Sequence, residues 1–249
     1  MKPNNTFNKK INHYHESCWV NIHRDIKKYI KTKDNKVLHQ LRIDIKKLIA
    51  LTHFIDSFKS DFNSKKISKS ILTLFKLSGE HRDYHHAKQF CKKFNINKSC
   101  LKKVASPSVV KKLKDHHKKY SKHFETLKEE IQNAIKDAKT TRFKKYLSKS
   151  NKAIKVSLST ALTKTQMHAV RKQMNDILYL SALSGNFSDS KLLMQDNLQN
   201  LMGKWHDINK FKTMLKKSGV KVKDKKILSI KREERMLLKE IQTLSATFR

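Results

Sequence analysis

The chain has 249 residues, of which 57 are Lys or Arg and 21 are Asp or Glu, so its formal charge at neutral pH is +36. It contains only four Gly and two Pro, too few for the turns of a sheet protein, and this composition predicts an all-α fold. A charge this large is typical of a protein with an anionic partner, because a bound polyanion relieves the repulsion among the cations.

The sequence also bears on where the protein works. Its N-terminal residues form no hydrophobic leader, and no uncharged segment reaches the length of a membrane-spanning helix. Cys18, Cys91 and Cys100 form no C-x-x-C motif and leave an odd thiol under any pairing, which suits a reducing compartment. We therefore expect a soluble, cytoplasmic protein without a membrane partner.

Hydrophobic spacing predicts four helices in the first half of the chain, over about residues 8–31, 35–58, 64–94 and 108–138. Asp34 or Asn35 is placed to cap the second helix, and Gly79 predicts a bend in the third. The clearest loop is 95–107. Apolar residues alternate three and four apart in the fourth helix, which indicates packing in an elongated antiparallel bundle.

The pattern then restarts, with helices predicted over about residues 141–162, 164–184, 188–217 and 223–246. Gly185 is expected to end the sixth helix, and Gly203 lies inside the seventh. Four helices followed by four indicate an internal duplication. The predicted architecture is two four-helix bundles, 8–140 and 141–249, related by a pseudo-twofold axis and folded as one compact unit.

Two short motifs support the duplication. H-x-hydrophobic-R occurs in the second predicted helix, at His39 and Arg42, and again in the sixth, at His168 and Arg171. G-x-x-basic-Asp occurs in the third and in the seventh, at Gly79–Asp83 and Gly203–Asp207. The two motifs recur in the same order and at nearly the same offset, which is stronger evidence for duplication than either motif alone.

Helical geometry suggests what the first motif does. Steps of three and four place His39, Arg42, Lys46 and His53 on one narrow stripe, roughly opposite the apolar positions of the same helix. We expect this stripe to point away from its own bundle. Two such stripes facing each other would form a basic groove or channel that focuses the electric field on a bound chain of phosphates.

The use of arginine sharpens this expectation. Only eight of the 57 basic residues are Arg, yet Arg stands at the equivalent positions 42 and 171, and again at 82. Its planar fork grips phosphate or carboxylate oxygens at two points. One interpretation is that these arginines bind an anion. The other is that Arg42 and Arg171 pair with acids across the bundle, such as Asp83 and Asp207, and a carboxylate could also orient an anion-binding guanidinium.

The paired H-x-x-R and G-x-x-R-D stretches resemble the conserved-histidine α-helical domain (CHAD) over about residues 8–246. The resemblance implies two four-helix bundles about a pseudo-twofold axis, with a basic central cavity that binds inorganic polyphosphate. It also implies no catalytic activity of the domain itself, and association with polyphosphate granules in some members.

The residues that match the family motifs are His39, Arg42, Lys46, Lys47 and Arg82 in the first half, and His168, Arg171 and Lys172 in the second. His53, Lys204 and His206 complete the predicted polyphosphate-binding set. Asn175 and Asp176 stand where the family usually has basic residues, and His206 stands where Arg is common. We therefore expect the second half to bind anions less strongly than the first. Lys172, Lys204 and His206 are expected to compensate in part for the missing basic residues.

The sequence gives less support to other functions. The sequence has no H-E-x-x-H, Walker A or G-x-S-x-G motif, so we expect neither an enzyme nor a cofactor. His81, His85, His86 and Asp83 could chelate a divalent ion from one helix face, but they lack a Cys or a clear third carboxylate ligand, and no metal site is predicted. The main alternative is a nucleic-acid-binding helical protein, since any polycation attracts DNA or RNA without specificity. A scaffold that recruits acidic proteins is a third.

Overall fold

The structure is a computed structural model that describes residues 3–62, 64–97, 101, 108–160, 162–183, 189–218 and 223–248. Within these ranges the chain forms eight α-helices and no strand, which confirms the predicted all-α fold. The helices are α1 Pro3–Thr32, α2 Asn35–Asp56, α3 Ser64–Lys93, α4 Ser108–Ile135, α5 Thr140–Leu158, α6 Lys164–Ser181, α7 Asp189–Ser218 and α8 Asp224–Ala246.

All eight predicted helices are therefore present. α1 begins earlier than predicted, at Pro3, where the fixed φ of proline suits the first turn of a helix. Asp34 caps α2 as expected, because its side chain accepts a hydrogen bond from the backbone N–H of Lys36 at 2.8 Å. α3 remains helical through Gly79. The predicted stop at Gly185 and most of the loop 95–107 lie outside the described residues.

Contacts within the chain define two compact units. Unit 1 consists of Met1–Ser78, Ser108–Lys152 and Asn175–Ser188. Unit 2 consists of Gly79–Pro107, Ala153–Met174 and Asp189–Arg249. α1, α2 and α4 belong to unit 1, α7 and α8 belong to unit 2, and α3, α5 and α6 contribute residues to both. The division into two four-helix halves related by a pseudo-twofold axis stays a prediction.

In unit 1, α1 packs against α2 and α4. The predicted apolar stripe of α2 is buried, at Leu38, Leu41, Ile45, Leu48, Thr52 and Ile55. Ile22 and Ile26 of α1 and Phe124 of α4 are also buried. His15 is part of this interior, and its Nε2 accepts a hydrogen bond of 2.8 Å from Nε1 of Trp19. The apolar spacing seen in the sequence therefore does select the packed faces.

In unit 2, α7 packs against α8. The buried side chains are Met202, Ile208 and Phe211 of α7, Ile230, Leu237 and Ile241 of α8, and Met167, Val170 and Met174 of α6. Ion pairs join α8 to its neighbours at the rim, where Glu233 lies 2.6 Å from Lys93 of α3 and Glu234 pairs with Lys212 of α7. None of the helices in the described part of the chain is long and apolar enough to cross a lipid bilayer.

Candidate anion-binding site

Arg42, the arginine of the first H-x-x-R motif, is buried in unit 1 and is 9% exposed. Its Nη1 donates to the carbonyl oxygen of Phe75 at 2.7 Å and to Oγ of Ser78 at 3.0 Å. Its Cζ lies 4.0 Å from the centroid of the Phe75 ring. The expectation that Arg42 points away from its own bundle is therefore corrected. Arg42 lies one helical turn from both Leu38 and Ile45, which are buried. It is therefore at the edge of the buried face of α2, where α3 covers it.

Lys47 also has a structural partner. Its ammonium lies 2.9 Å from Oδ1 of Asp44, a carboxylate that is fully buried within unit 1. The amide nitrogen of Gln40 donates to the other oxygen of Asp44 at 2.9 Å. Because a buried carboxylate is costly unless it is paired and hydrogen-bonded, Lys47 stabilises the fold of α2.

Two further members of the α2 stripe contact the unit 1 part of α6. Nδ1 of His53 donates to Oδ2 of Asp176 at 2.8 Å, and Nζ of Lys46 lies 3.5 Å from the hydroxyl of Tyr179. The backbone carbonyl of Tyr179 also accepts a hydrogen bond of 2.8 Å from the hydroxyl of Tyr14. Asp176, one of the departures from the family motif, thus holds a histidine of the stripe. His39, the first residue of the motif, is exposed.

Arg171, the arginine of the second H-x-x-R motif, lies over a glycine of α7 in unit 2. A Cβ placed on Gly203 would be 3.1 Å from Nη2 of Arg171 and 3.3 Å from its Cζ. A side chain at residue 203 would force the guanidinium to shift by a few tenths of an ångström, and glycine permits the approach without that shift. Gly203 of the G-x-x-basic-Asp motif therefore makes room for Arg171 of the H-x-x-R motif. The presence of both motifs in one sequence could have suggested this contact.

Two histidines of unit 2, His168 and His206, are stacked beside this arginine. The rings of His168 and His206 are 5.2 Å apart between centroids and inclined by 20°. Burial lowers the pKa of His206 to about 4, and the cations Arg171 and Lys210 act in the same direction, while Asp207 opposes them. The ring of His206 is consequently neutral at physiological pH.

The pKa of His168 is lowered as well. Burial is the largest cause, followed by the positive charges of Lys172, Arg171 and Lys210. The same three cations thus act on one or both rings of the stack. A site in which fixed positive charge disfavours further protonation is one that attracts anions.

Lys210 was not among the residues predicted from the sequence. It follows His206 by four positions and therefore lies on the same face of α7. That spacing is the signal that could have identified it. Lys172 and Lys204, which were predicted, are exposed on α6 and α7. We call His168, Arg171, Lys172, His206 and Lys210 the α6–α7 basic cluster.

The two aspartates of the G-x-x-basic-Asp motifs bind basic side chains within unit 2. Nη2 of Arg82 donates to Oδ2 of Asp207 at 2.5 Å, and Nδ1 of His86 lies 3.7 Å from the same oxygen. Asp83 pairs with Lys210 and lies 3.3 Å from Nη1 of Arg82. These acids, which the sequence suggested as partners of Arg42 and Arg171, therefore hold Arg82 and Lys210, and they fix α7 to the unit 2 part of α3.

The histidines considered as metal ligands lie on α3. The rings of His81 and His85 meet edge to face at 4.8 Å, and His86 lies near Asp207. Within the residues that the structure describes, no group of three or more His, Cys, Asp or Glu side chains is arranged to hold a metal ion.

Comparison with protein-family models, with curated proteins and with solved structures gives no match to this chain. The function is therefore argued from the charge, the packing and the chemistry of the residues described above.

Proposed function

We propose that this protein binds inorganic polyphosphate, without catalysing a reaction on it, through the α6–α7 basic cluster. The observation that carries the proposal is the stacked pair of His168 and His206, where the charges of Arg171 and Lys210 act on both rings and that of Lys172 on His168. The nitrogens of these groups are donors suited to phosphate oxygens.

The electrostatics of the cluster favour an extended anion. The pKa of each imidazole is lowered, first by burial and then by neighbouring cations, so fixed positive charge lies beside both rings. The two acids in this region, Asp83 and Asp207, are occupied by Lys210, Arg82 and His86. A linear chain carrying about one negative charge per phosphate compensates such a potential and also satisfies the excess charge of the whole protein.

Polyphosphate suits the cluster better than nucleic acid does. Proteins that hold single-stranded nucleic acid stack the bases on exposed aromatic rings. The aromatic residues of α7, Trp205 and Phe211, are buried, and Phe211 stacks on Phe90 of α3. What the cluster offers is cationic and imidazole nitrogen, whose donors suit the oxygens of a phosphate chain. The resemblance to CHAD supports the same ligand.

The proposal assigns the main phosphate contacts to the H-x-x-R motif of α6 and not to that of α2. Arg42 and Lys47 are bonded within unit 1, and we assign them a structural role there. Arg82 is held by Asp207 and acts as a positioning residue. His39, Lys46, His53 and Lys204 remain proposed contacts of the polyanion, mainly through charge. With polyphosphate as the ligand, we propose that the protein associates with polyphosphate granules in the cytoplasm.

A competition experiment tests the proposal. Labelled long-chain polyphosphate is bound to the protein at about 0.15 M salt, where exposed charges are largely screened, and displaced with duplex DNA or RNA at equal phosphate concentration. We expect polyphosphate to bind more tightly than either nucleic acid, and no phosphate to be released during incubation. Equal or better competition by DNA or RNA would favour the nucleic-acid-binding alternative.

A further inference from the structure

The stacked histidines suggest how the proposed site is regulated. We propose that polyphosphate binding is coupled to proton uptake by His168 and His206, so that the protein binds its ligand more tightly as the pH falls. This inference rests on the proposed function and adds a chemical role for the histidine pair that a simple positive surface does not have.

The geometry makes the pair responsive to a bound anion. The two rings lie nearly parallel, with centroids 5.2 Å apart, so a proton on one ring repels a proton on the other. Arg171 and Lys172 of α6 and Lys210 of α7 add permanent positive charge beside the rings. In the absence of a ligand, the pair is therefore held in its neutral form.

The acidic groups around the pair do not cancel this repulsion. Asp207 follows His206 directly and raises its pKa, but its carboxylate is engaged by Arg82 at 2.5 Å and approached by His86 at 3.7 Å. Asp83 of α3 is engaged by Lys210. The charged groups that α3, α6 and α7 bring to this region thus leave a net positive environment.

A bound phosphate chain reverses the local field. The pKa of His206, about 4 in the free protein, and the lowered pKa of His168 both rise when negative charge is placed next to the rings. A protonated imidazole donates from both nitrogens, whereas a neutral one donates from a single nitrogen. Each proton taken up therefore adds a charge-assisted hydrogen bond to a phosphate oxygen.

The sign of the pH dependence follows from linkage. If the complex binds more protons than the free protein, the association constant increases as the pH falls, and uptake of half a proton corresponds to about a threefold change in affinity per pH unit. We expect this dependence between about pH 7.5 and about pH 5.5, the range in which a histidine titrates once the bound phosphate has raised its pKa towards the ordinary value.

Calorimetry with the full chain measures the uptake directly. Long-chain sodium polyphosphate, whose internal phosphates stay ionised in this range, is titrated into the protein in two buffers of different ionisation enthalpy. The difference in observed heat gives the number of protons exchanged. We expect net uptake near about pH 6.5, where free histidine is half protonated. Polyphosphate binding without proton uptake would overturn this inference alone, whereas the absence of binding would overturn the proposed function as well.

Variants locate the protons that are taken up. The double substitution His168→Gln and His206→Gln should abolish most of the uptake and flatten the pH dependence of polyphosphate affinity. His13→Gln, which removes an exposed histidine of α1 in unit 1, is the matched control and should leave the uptake unchanged. Uptake that persists in the double variant would assign the protons to histidines elsewhere and contradict the inference.

Circular dichroism shows whether the double substitution disturbs the fold. If it does, a second variant, Lys172→Gln, tests the same coupling. Lys172 is exposed, so Lys172→Gln leaves the packing of α6 intact. It removes a cation that lowers the pKa of His168 in the free protein. Fewer protons should then be taken up per polyphosphate bound, and an unchanged or larger uptake would count against the coupling.

Discussion

The guanidinium of Arg171 rests on α7 at Gly203, with Nη2 3.1 Å from the position that a Cβ of residue 203 would occupy. In unit 1, Arg42 is likewise placed against a neighbouring helix, where it bonds to Phe75 and Ser78 of α3. Each H-x-x-R arginine thus packs on the helix that carries a G-x-x-basic-Asp motif. The two arginines differ in exposure, since Arg42 is buried and Arg171 is only half-buried.

Gly203→Ala tests the placement of Arg171. The new methyl group would push the end of a flexible side chain aside, so the fold should tolerate it, and the helix gains up to about 1 kcal/mol from the better propensity of alanine. Polyphosphate affinity should nevertheless fall, by roughly threefold to tenfold, because a displaced guanidinium is less well placed to bind phosphate oxygens at two points. Denaturation and binding are measured on the same preparation. Unchanged affinity would show that the position of Arg171 is unimportant for binding.

Arg42→Ala should mainly affect stability. The substitution removes a charged donor from the Phe75 carbonyl and the Ser78 hydroxyl and opens space beside the Phe75 ring. We expect a loss of about 2–3 kcal/mol in the free energy of unfolding, measured with urea. Arg235→Ala, at an exposed position of α8, is the control and should cost little. Normal stability with lost polyphosphate binding would support the outward-facing stripe predicted from the sequence.

The ion pair of Arg82 and Asp207 should stabilise unit 2 measurably. The side chains are 24% and 10% exposed, so the pair is partly shielded from solvent. A double-mutant cycle with Arg82→Gln and Asp207→Asn should give a coupling energy of about 1–3 kcal/mol.

The matched control for that cycle is the pair of Lys93 and Glu233, which also joins two helices of unit 2 but has a lysine that is 55% exposed. Its coupling should be below about 1 kcal/mol, as for surface ion pairs in general. Equal coupling in the two cycles would mean that the burial of Asp207 has no energetic consequence.

Acid should destabilise the protein through His15. Its ring is buried and its Nε2 accepts a hydrogen bond from Trp19, so protonation removes the acceptor. Burial, followed by the charge of Lys128, lowers its pKa to about 4 from an ordinary value of 6.5. Because the folded-state pKa is below the unfolded value, the stabilisation is complete above about pH 6.5 and is lost as the pH falls towards about pH 4, by up to about 1.4 kcal/mol per pH unit.

Urea denaturation across that pH range measures the slope. His15→Gln should reduce it, whereas His13→Gln, at an exposed position two residues away, should leave it unchanged. An equal slope in all three proteins would show that other groups cause the acid sensitivity.

The helices could be predicted because their determinants are local. Glycine and proline are scarce, and the apolar stripe of α2 and the cap at Asp34 can be read directly from residue spacing. The burial of Arg42 could not be predicted in this way, since it depends on which helix covers that side of α2. A helical wheel orders residues around one axis and does not show where the neighbouring helix lies.

The partners of the charged residues could be predicted only in part. The sequence offered Asp83 and Asp207 as one alternative for the partners of Arg42 and Arg171, whereas in the structure they hold Lys210 and Arg82. Likewise, Asp176 stands where the resembled family usually has a basic residue, but the sequence does not show that its partner is His53, which is far away in the chain. Such contacts depend on tertiary packing. The central cavity expected from the family resemblance stays a prediction.

One measurement tests the central claim most directly, namely the polyphosphate affinity of Arg171→Gln compared with that of Arg232→Gln at about 0.15 M salt. Both variants lose one positive charge from unit 2, but Arg232 is exposed on α8, whereas Arg171 belongs to the α6–α7 basic cluster. We predict that Arg171→Gln weakens binding by about tenfold or more, as expected for a lost charge-assisted contact, and that Arg232→Gln changes it by less than about twofold. Equal losses in the two variants would contradict the account, because they would show that polyphosphate is held by diffuse charge and not by the α6–α7 basic cluster.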